Sequence, residues 1–368
     1  VKAVPFVDFR RHVQDLRPEL DAAYARVLDS GIFILGKEGE ALEAELAGAF
    51  STKEAVLVAN GTEALQLALE AVGIGAGDEV ITSPLSAAFT ALAILRAGAR
   101  PVFADLDPET LNLDPESARR VVTPRTKALL PVHLYGHPFD LDPFAALAAE
   151  RGIRLVEDAC QAHGALYKGR PVGALSGLGA LSFYPTKNLG AFGDGGAVLT
   201  SDPALAGTLR RLRNGGQSDR YRHELAGINS RLDEIQAAIL RVKLKRLGAA
   251  TERRRALAGL YREGLEGSSV RVLREQPYAR AAYHLFVVRH PRRDALAEGL
   301  KARGIGTLIH YPIPLHLQPA FRSLGGKPGD FPVCEKAAGE ILSLPLYPEL
   351  SEEDVRYVAD SVRELARV

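Results

Sequence analysis

The chain has 368 residues, 46 basic and 45 acidic, for a formal net charge of +1. It is 46% hydrophobic and 25% charged, which fits a globular chain and excludes a disordered or collagen-like one. The balanced charge offers no global field to gather DNA, RNA or an anionic membrane surface.

At about 150 residues per domain, the length predicts two domains or slightly more. The start, VKAVPFVDFRRHVQDL, is broken by charges early and does not read as a signal peptide. No apolar run reaches the eighteen or so residues of a membrane span. Two cysteines, Cys160 and Cys334, cannot build a disulfide framework, and no metal-ligand spacing appears. Both are expected reduced and buried, in a cytoplasmic protein.

Short apolar runs then alternate with helical patterns. Strands are predicted at Val56–Ala59, Glu79–Thr82, Pro101–Leu106, Ala128–Leu134, Arg154–Asp158, Ala180–Phe183 and Ala197–Thr200. Helical periods fall at Thr62–Ala71, Ala87–Ala97, Pro115–Val121 and Asp142–Arg151. This alternation predicts an α/β domain with a mostly parallel sheet. The last two strands have no helix between them, so one antiparallel member is expected. Arg231–Leu247 reads as one long amphipathic helix, with Ser230 as its N-cap. A boundary is placed there, giving a large domain over 1–247 and a smaller α+β domain over 248–368. The smaller part holds a strand at Tyr283–His290, a helix at Arg292–Arg303 and a closing helix at Ser351–Arg367. That helix starts SEED, a capping-box pattern.

Three segments carry chemistry. RLVEDACQAHGA ends a strand on Glu157 and Asp158, at the sheet edge where α/β ligands gather. An acid there either caps the next turn or meets a cation, such as a protonated ring nitrogen. LSFYPTKNLGAFGDGGAV sets Lys187 among polar and glycine residues, apart from other charges. Such a lysine is either solvated or, when desolvated, able to form a Schiff base. VANGTEALQLAL runs a strand into Gly61-Thr62 and a helix, which suits either an N-cap or a phosphate site. Together, a phosphate cradle, an acid and a lysine match the needs of pyridoxal phosphate.

These blocks, with PFVDFRR, SGIFILGKEGEALEAELA, GDEVITSP, GINSRLDEIQAAIL and HYPIPLHLQPAF, give the chain a resemblance to the DegT/DnrJ/EryC1/StrS sugar aminotransferases. The resemblance implies fold type I, the aspartate-aminotransferase-like fold, with a large, mostly parallel, seven-stranded sheet domain. It implies pyridoxal 5'-phosphate as a Schiff base on Lys187, with Asp158 on the pyridine nitrogen and Gln161 on the ring hydroxyl. Gly61, Thr62, Glu63 and Ser182 would bind the phosphate, joined by Asn229 from a neighbouring subunit in a homodimer with shared active sites. Tyr184, Tyr221, Arg231, His310 and Tyr311 would face a nucleotide-diphosphate keto-sugar. A packed loop is the alternative for His310 and His316. Arg220 and Arg222, beside Tyr221, are further candidates for the diphosphate, and the alternative is that they are solvated.

Members of the group place an aromatic or His in the stretch reading SPLSAAFTALAI here, to stack on the cofactor ring. Ala87 or Leu85 falls at that point, with Phe89 nearby, so no stacking residue is assigned. The retained lysine disfavours the dehydratases of the group. PVHLYGHPFDLDP and GINSRLDEIQ look more like members that aminate C3, with an amino acid such as L-glutamate as donor. Amination at C4, a cofactor-binding regulator, a cysteine desulfurase and an amino-acid aminotransferase are the alternatives. Neither cysteine suits a desulfurase, and HYPIPLHLQ lacks the arginine pattern that an amino-acid aminotransferase uses.

Overall fold

A computed structural model describes residues 2–367. Asp8 opens the first helix, α1 (Phe9–Ser30), by accepting from the Arg10 and Arg11 N–H groups, and Gly31 closes it in the left-handed region. Helix α2 (Lys37–Ala49) and strand β1 (Glu54–Val58) lead to α3 (Gly61–Ala71). Then come β2 (Glu79–Thr82), α4 (Ala88–Arg96), β3 (Arg100–Phe103), α5 (Pro115–Arg120), β4 (Thr126–Leu130) and α6 (Leu141–Arg151). The next strand is interrupted at Val156 and forms β5 (Arg154–Leu155) and β6 (Glu157–Asp158). A small hairpin, β7 (Leu166–Tyr167) and β8 (Arg170–Pro171), precedes β9 (Leu178–Ser182) and β10 (Gly196–Thr200).

These strands form two four-stranded arrays, β3-β2-β4-β5 and β6-β9-β10-β1. The interrupted strand joins them, because Val156 N–H donates to Leu129 and Asp158 N–H to Pro131. The result is the expected seven-stranded sheet. Neighbours are parallel except at β10, which runs against both β1 and β9. The expectation of a single reversed strand beside β9 is therefore met. Side chains on both faces are buried, as parallel sheets require. Each fully buried Leu or Val contributes about 1.5–3 kcal/mol. Since β1, β6 and β9 point the same way, Gly61, Asp158 and Ser182 all emerge at one edge.

Helix α7 (Pro203–Leu212) and a two-stranded ribbon, β11 (Gln217–Asp219) and β12 (Arg222–His223), follow the sheet. The long helix expected over 231–247 is instead two. Helix α8 (Glu234–Leu244) starts after Asp233, and α9 (Leu247–Leu265) begins where the single helix was to end. Ser230 is not the cap, because its Oγ accepts from the Ala59 N–H. Ala238, Ile239 and Val242 of α8 pack on Leu16, Leu20, Ala23 and Val27 of α1. Leu232, Ala237, Leu240 and Leu247 join the main core. Burial on two sides explains why one amphipathic stripe misjudged the helix.

The remainder contains β13 (Arg271–Val272), β14 (Ala279–Arg280), β15 (Phe286–Arg289), α10 (Arg293–Ala302), α11 (Pro332–Glu340), β16 (Ile341–Leu344) and α12 (Glu352–Ala366). Strands β13, β15 and β16 form a three-stranded antiparallel sheet. Its core draws on Leu257, Tyr261, Phe286, Leu300, Val358 and Val362, and also takes Val4 from the chain start. Ser351 Oγ accepts from the Asp354 N–H, as the SEED pattern predicts. Strand β14 pairs with β7, tying this region to the small β7–β8 hairpin. Among the described residues, no helix is long and apolar enough to cross a membrane.

Candidate active site

The carboxyl edge of β1, β6 and β9 opens into a cavity of about 680 Å³. Ten of the thirteen residues singled out from the sequence line it: Gly61, Thr62, Glu63, Asp158, Gln161, Ser182, Tyr184, Lys187, His310 and Tyr311. Residues separated by up to 250 positions are thereby brought together.

Asn60 N-caps α3 by accepting from the Glu63 N–H at 2.9 Å. It thus occupies the third N–H of that turn and leaves Gly61 and Thr62 at the cavity wall. A Cβ on Gly61 would stand 2.6 Å from Ser182 Cβ and 3.1 Å from Cys160 Sγ, so only glycine lets these walls meet. The turn is therefore an N-cap and also fits a phosphate. Strand β10 packs behind this turn. A Cβ on Gly196 would lie 2.5 Å from the Asn60 carbonyl oxygen.

Asp158 is 3% exposed. Its Oδ1 accepts from the Cys160 backbone N–H at 3.2 Å, and Oδ2 accepts from Thr90 Oγ1 at 2.8 Å. Lys187 sits in the turn after β9, where its own N–H donates to the Tyr184 carbonyl. Burial pushes its ammonium below the ordinary 10.5, while Cys160 and Asp158 oppose that shift. A lysine with a lowered pKa is the kind that attacks a carbonyl. Gln161 has both ends engaged: Oε1 accepts from the Tyr135 N–H at 2.7 Å and Nε2 donates to the Tyr311 hydroxyl at 3.1 Å. The Tyr135 bond fixes which end is the donor.

His310 Nδ1 lies 2.9 Å from Ser343 Oγ, and burial and Lys187 push the ring down to about 4. It is neutral near pH 7. His316 is different. It is 2% exposed, bonds Glu335 and packs on Phe331, so the packed-loop alternative holds for it and not for His310.

Three expected residues lie away from this wall. Arg231 Nη1 donates to Asn214 Oδ1 at 3.0 Å, Asn229 is exposed, and Tyr221 is 80% exposed in the turn between β11 and β12. Leu85 is also out of reach, being buried among Leu106, Val132 and Leu134. Ala87 and Phe89 both line the cavity, the latter 60% exposed. Cys160 is only partly buried, against expectation, because it borders the cavity. Neither cysteine forms a disulfide.

Residues the sequence reading missed include Ser86, Thr90 and His284, all on the cavity wall. Ser86 and Thr90 stand in an apolar helical segment without a motif of their own. His284 follows a strand-like run and looks like core. Among the described residues, no group of three or more His, Cys, Asp or Glu is placed to hold a metal.

The chain matches the DegT/DnrJ/EryC1/StrS aminotransferase family over residues 14–363. It is 50% identical to dTDP-3-amino-3,4,6-trideoxy-alpha-D-glucose transaminase of Streptomyces venezuelae, over 99% of this chain and 96% of that one. A crystal structure of S. venezuelae DesV in complex with a ketimine intermediate superposes with a TM-score of 0.98, at 49% identity and full coverage of both chains. NtdA from Bacillus subtilis, solved with bound cofactor PMP, gives a TM-score of 0.91 at 28% identity, covering 100% of this chain and 86% of that one. Sequence, fold and the assembled cavity wall agree, and this chain is an aminotransferase belonging to the DegT/DnrJ/EryC1/StrS family.

Proposed function

We propose that the chain binds pyridoxal 5'-phosphate through Lys187 and moves an amino group from an amino acid, L-glutamate by preference, to C3 of a nucleotide-linked keto-deoxysugar. The observation that carries this reading is the shared cavity of Lys187, Asp158 and the Gly61-Thr62 turn. The S. venezuelae relative, a transaminase named for a 3-amino sugar, supports the carbon assigned.

The residues fit the cofactor. The Gly61-Thr62 turn, with Ser182 opposite, suits a phosphate, and Gln161 Nε2 suits the ring hydroxyl. Asp158 suits a protonated pyridine nitrogen, and Lys187 Nζ suits the covalent link. The bound cofactor supplies an electron sink for the pair left when a proton leaves the carbon beside the amino nitrogen. The buried Asp158 carboxylate would accept from a protonated ring nitrogen and so strengthen that sink. Lys187 Nζ, once freed by the incoming amine, would take the proton from the carbon beside the amino nitrogen and deliver it to the cofactor's aldehyde carbon, and would carry it in the opposite direction when the keto-sugar is aminated. Its lowered pKa suits it to do so near neutral pH. His310 is held neutral beside it, which avoids a second positive charge near the amine.

The reading includes a homodimer in the cytoplasm, with Asn229, Tyr221 and Arg231 of one subunit serving the other's cavity. Their position outside their own cavity supports that role, as do the exposed apolar side chains Ile32, Phe33, Ile34 and Leu35. The test is to incubate the purified protein with pyridoxal phosphate, L-glutamate and a dTDP-3-keto-6-deoxyhexose. The product is expected to be a 3-amino sugar with one equivalent of 2-oxoglutarate, identified by NMR. Amine found at C4 would reject the C3 assignment. No transfer to any keto-sugar from a cofactor-loaded protein would reject the function.

A further inference from the structure

Asp158 is held by side chains with no assigned part in the site. Thr90 Oγ1 donates to Asp158 Oδ2 at 2.8 Å, and Ser86 Oγ lies 2.9 Å from Thr90 Oγ1. A hydroxyl carries one proton. Thr90 commits its proton to the carboxylate, so Ser86 is the donor in the second bond. The two hydroxyls form a one-way chain, Ser86 to Thr90 to Asp158. All three residues are 2–3% exposed, so bulk water does not compete for these bonds. Neither hydroxyl is engaged in capping α4, whose N-cap position is Ala87 and carries no side-chain cap.

The energetic demand is clear. A buried carboxylate is drawn toward its neutral form by desolvation and toward its charged form by hydrogen-bond donors. Here one donor comes from its own turn and the other from α4, each on a different oxygen. The carboxylate is thereby fixed in rotation, with its free lone pairs left for the cavity. Ala87 lines the same cavity and offers no ring to stack on a planar ligand.

We propose that Ser86 and Thr90 are positioning residues that orient the Asp158 carboxylate toward the pyridine nitrogen and thereby set how tightly this chain holds pyridoxal phosphate. This rests on the cofactor reading above.

The test measures cofactor affinity by calorimetric titration of the apoprotein, with no sugar substrate required. Thr90→Val, close in shape and lacking the donor, is expected to weaken binding by about tenfold or more, the loss of a hydrogen bond to a charged group. Thr90→Ser is expected to restore affinity to within about threefold, and Ser86→Ala to fall between the wild type and Thr90→Val. In an Asp158→Ala background, Thr90→Val is expected to have no further effect. Wild-type affinity in Thr90→Val would overturn the relay alone. An equal loss in the Asp158→Ala background would overturn it too, since Thr90 would then act through the fold. A wild-type protein that does not bind the cofactor would overturn the cofactor reading and the relay together.

Discussion

At the inner end of the cavity, Asp158 and Gln161 are each 3% exposed, and each has its polar atoms claimed by a neighbour. At the mouth, Tyr184 and Phe89 are 53% and 60% exposed, while Tyr221, on a ribbon away from this wall, is 80% exposed with Arg220 over its ring. At the inner end Asp158 and Gln161 are held in place by bonds from this chain, which favours electrostatic catalysis because neither group has to reorient. The mouth is a set of apolar and aromatic surfaces awaiting something to cover them. The difference separates groups held in place at the inner end from exposed side chains at the mouth.

Changes at the inner end should therefore strike turnover and changes at the mouth should strike substrate binding. The largest effect is expected for Lys187→Ala. It should fold, hold cofactor without the covalent link, and lose about four orders of magnitude in kcat, the upper range for one general acid/base. Full activity in a coupled glutamate assay would break the comparison at its root. Asp158→Asn comes next, with normal folding and a loss of about two to three orders in kcat. A near-native rate would make that acid structural.

Tyr221→Ala tests the proposed reach of the ribbon to a partner's mouth. KM for the nucleotide sugar should rise about tenfold, with kcat kept within about threefold, as expected for uniform binding lost from the rim. A kcat loss matching Lys187→Ala would mean that mouth and inner end are not separable.

The smallest effect concerns a histidine outside the cavity wall. Burial holds His137 at about 4, against 6.5 when unfolded. Below pH 6.5 the unfolded chain takes up the proton first, so stability falls as pH drops from 6.5 toward 4. From pH 7 to 5 the loss is about 2 kcal/mol. His137→Gln should flatten that slope in thermal melts, without changing kcat at pH 7.5.

Most of the site was legible because its residues sit in local patterns. Asp158 closes an apolar strand, Lys187 stands in a glycine-rich turn, and Asn60-Gly61-Thr62 reads as a cap. Ser86 and Thr90 were not legible, because their hydroxyls serve a residue 68 or more positions away and mark no local motif. The break between α8 and α9 was hidden for a related reason. A helix buried on two sides shows no single stripe, and the turn between Leu244 and Leu247 carries no glycine or proline.

The sequence by itself determined the strand–helix alternation and the reversed strand. These follow from local periodicity. Only the tertiary structure decided that Gly61 meets Ser182 closely enough to forbid a Cβ, and that Leu85 turns into the core while Ala87 faces the cavity. It also decided that Asp158 is held from α4. Those are distances between segments far apart in the chain, set by how the sheet edge packs against its helices, and no spacing along a sequence encodes them.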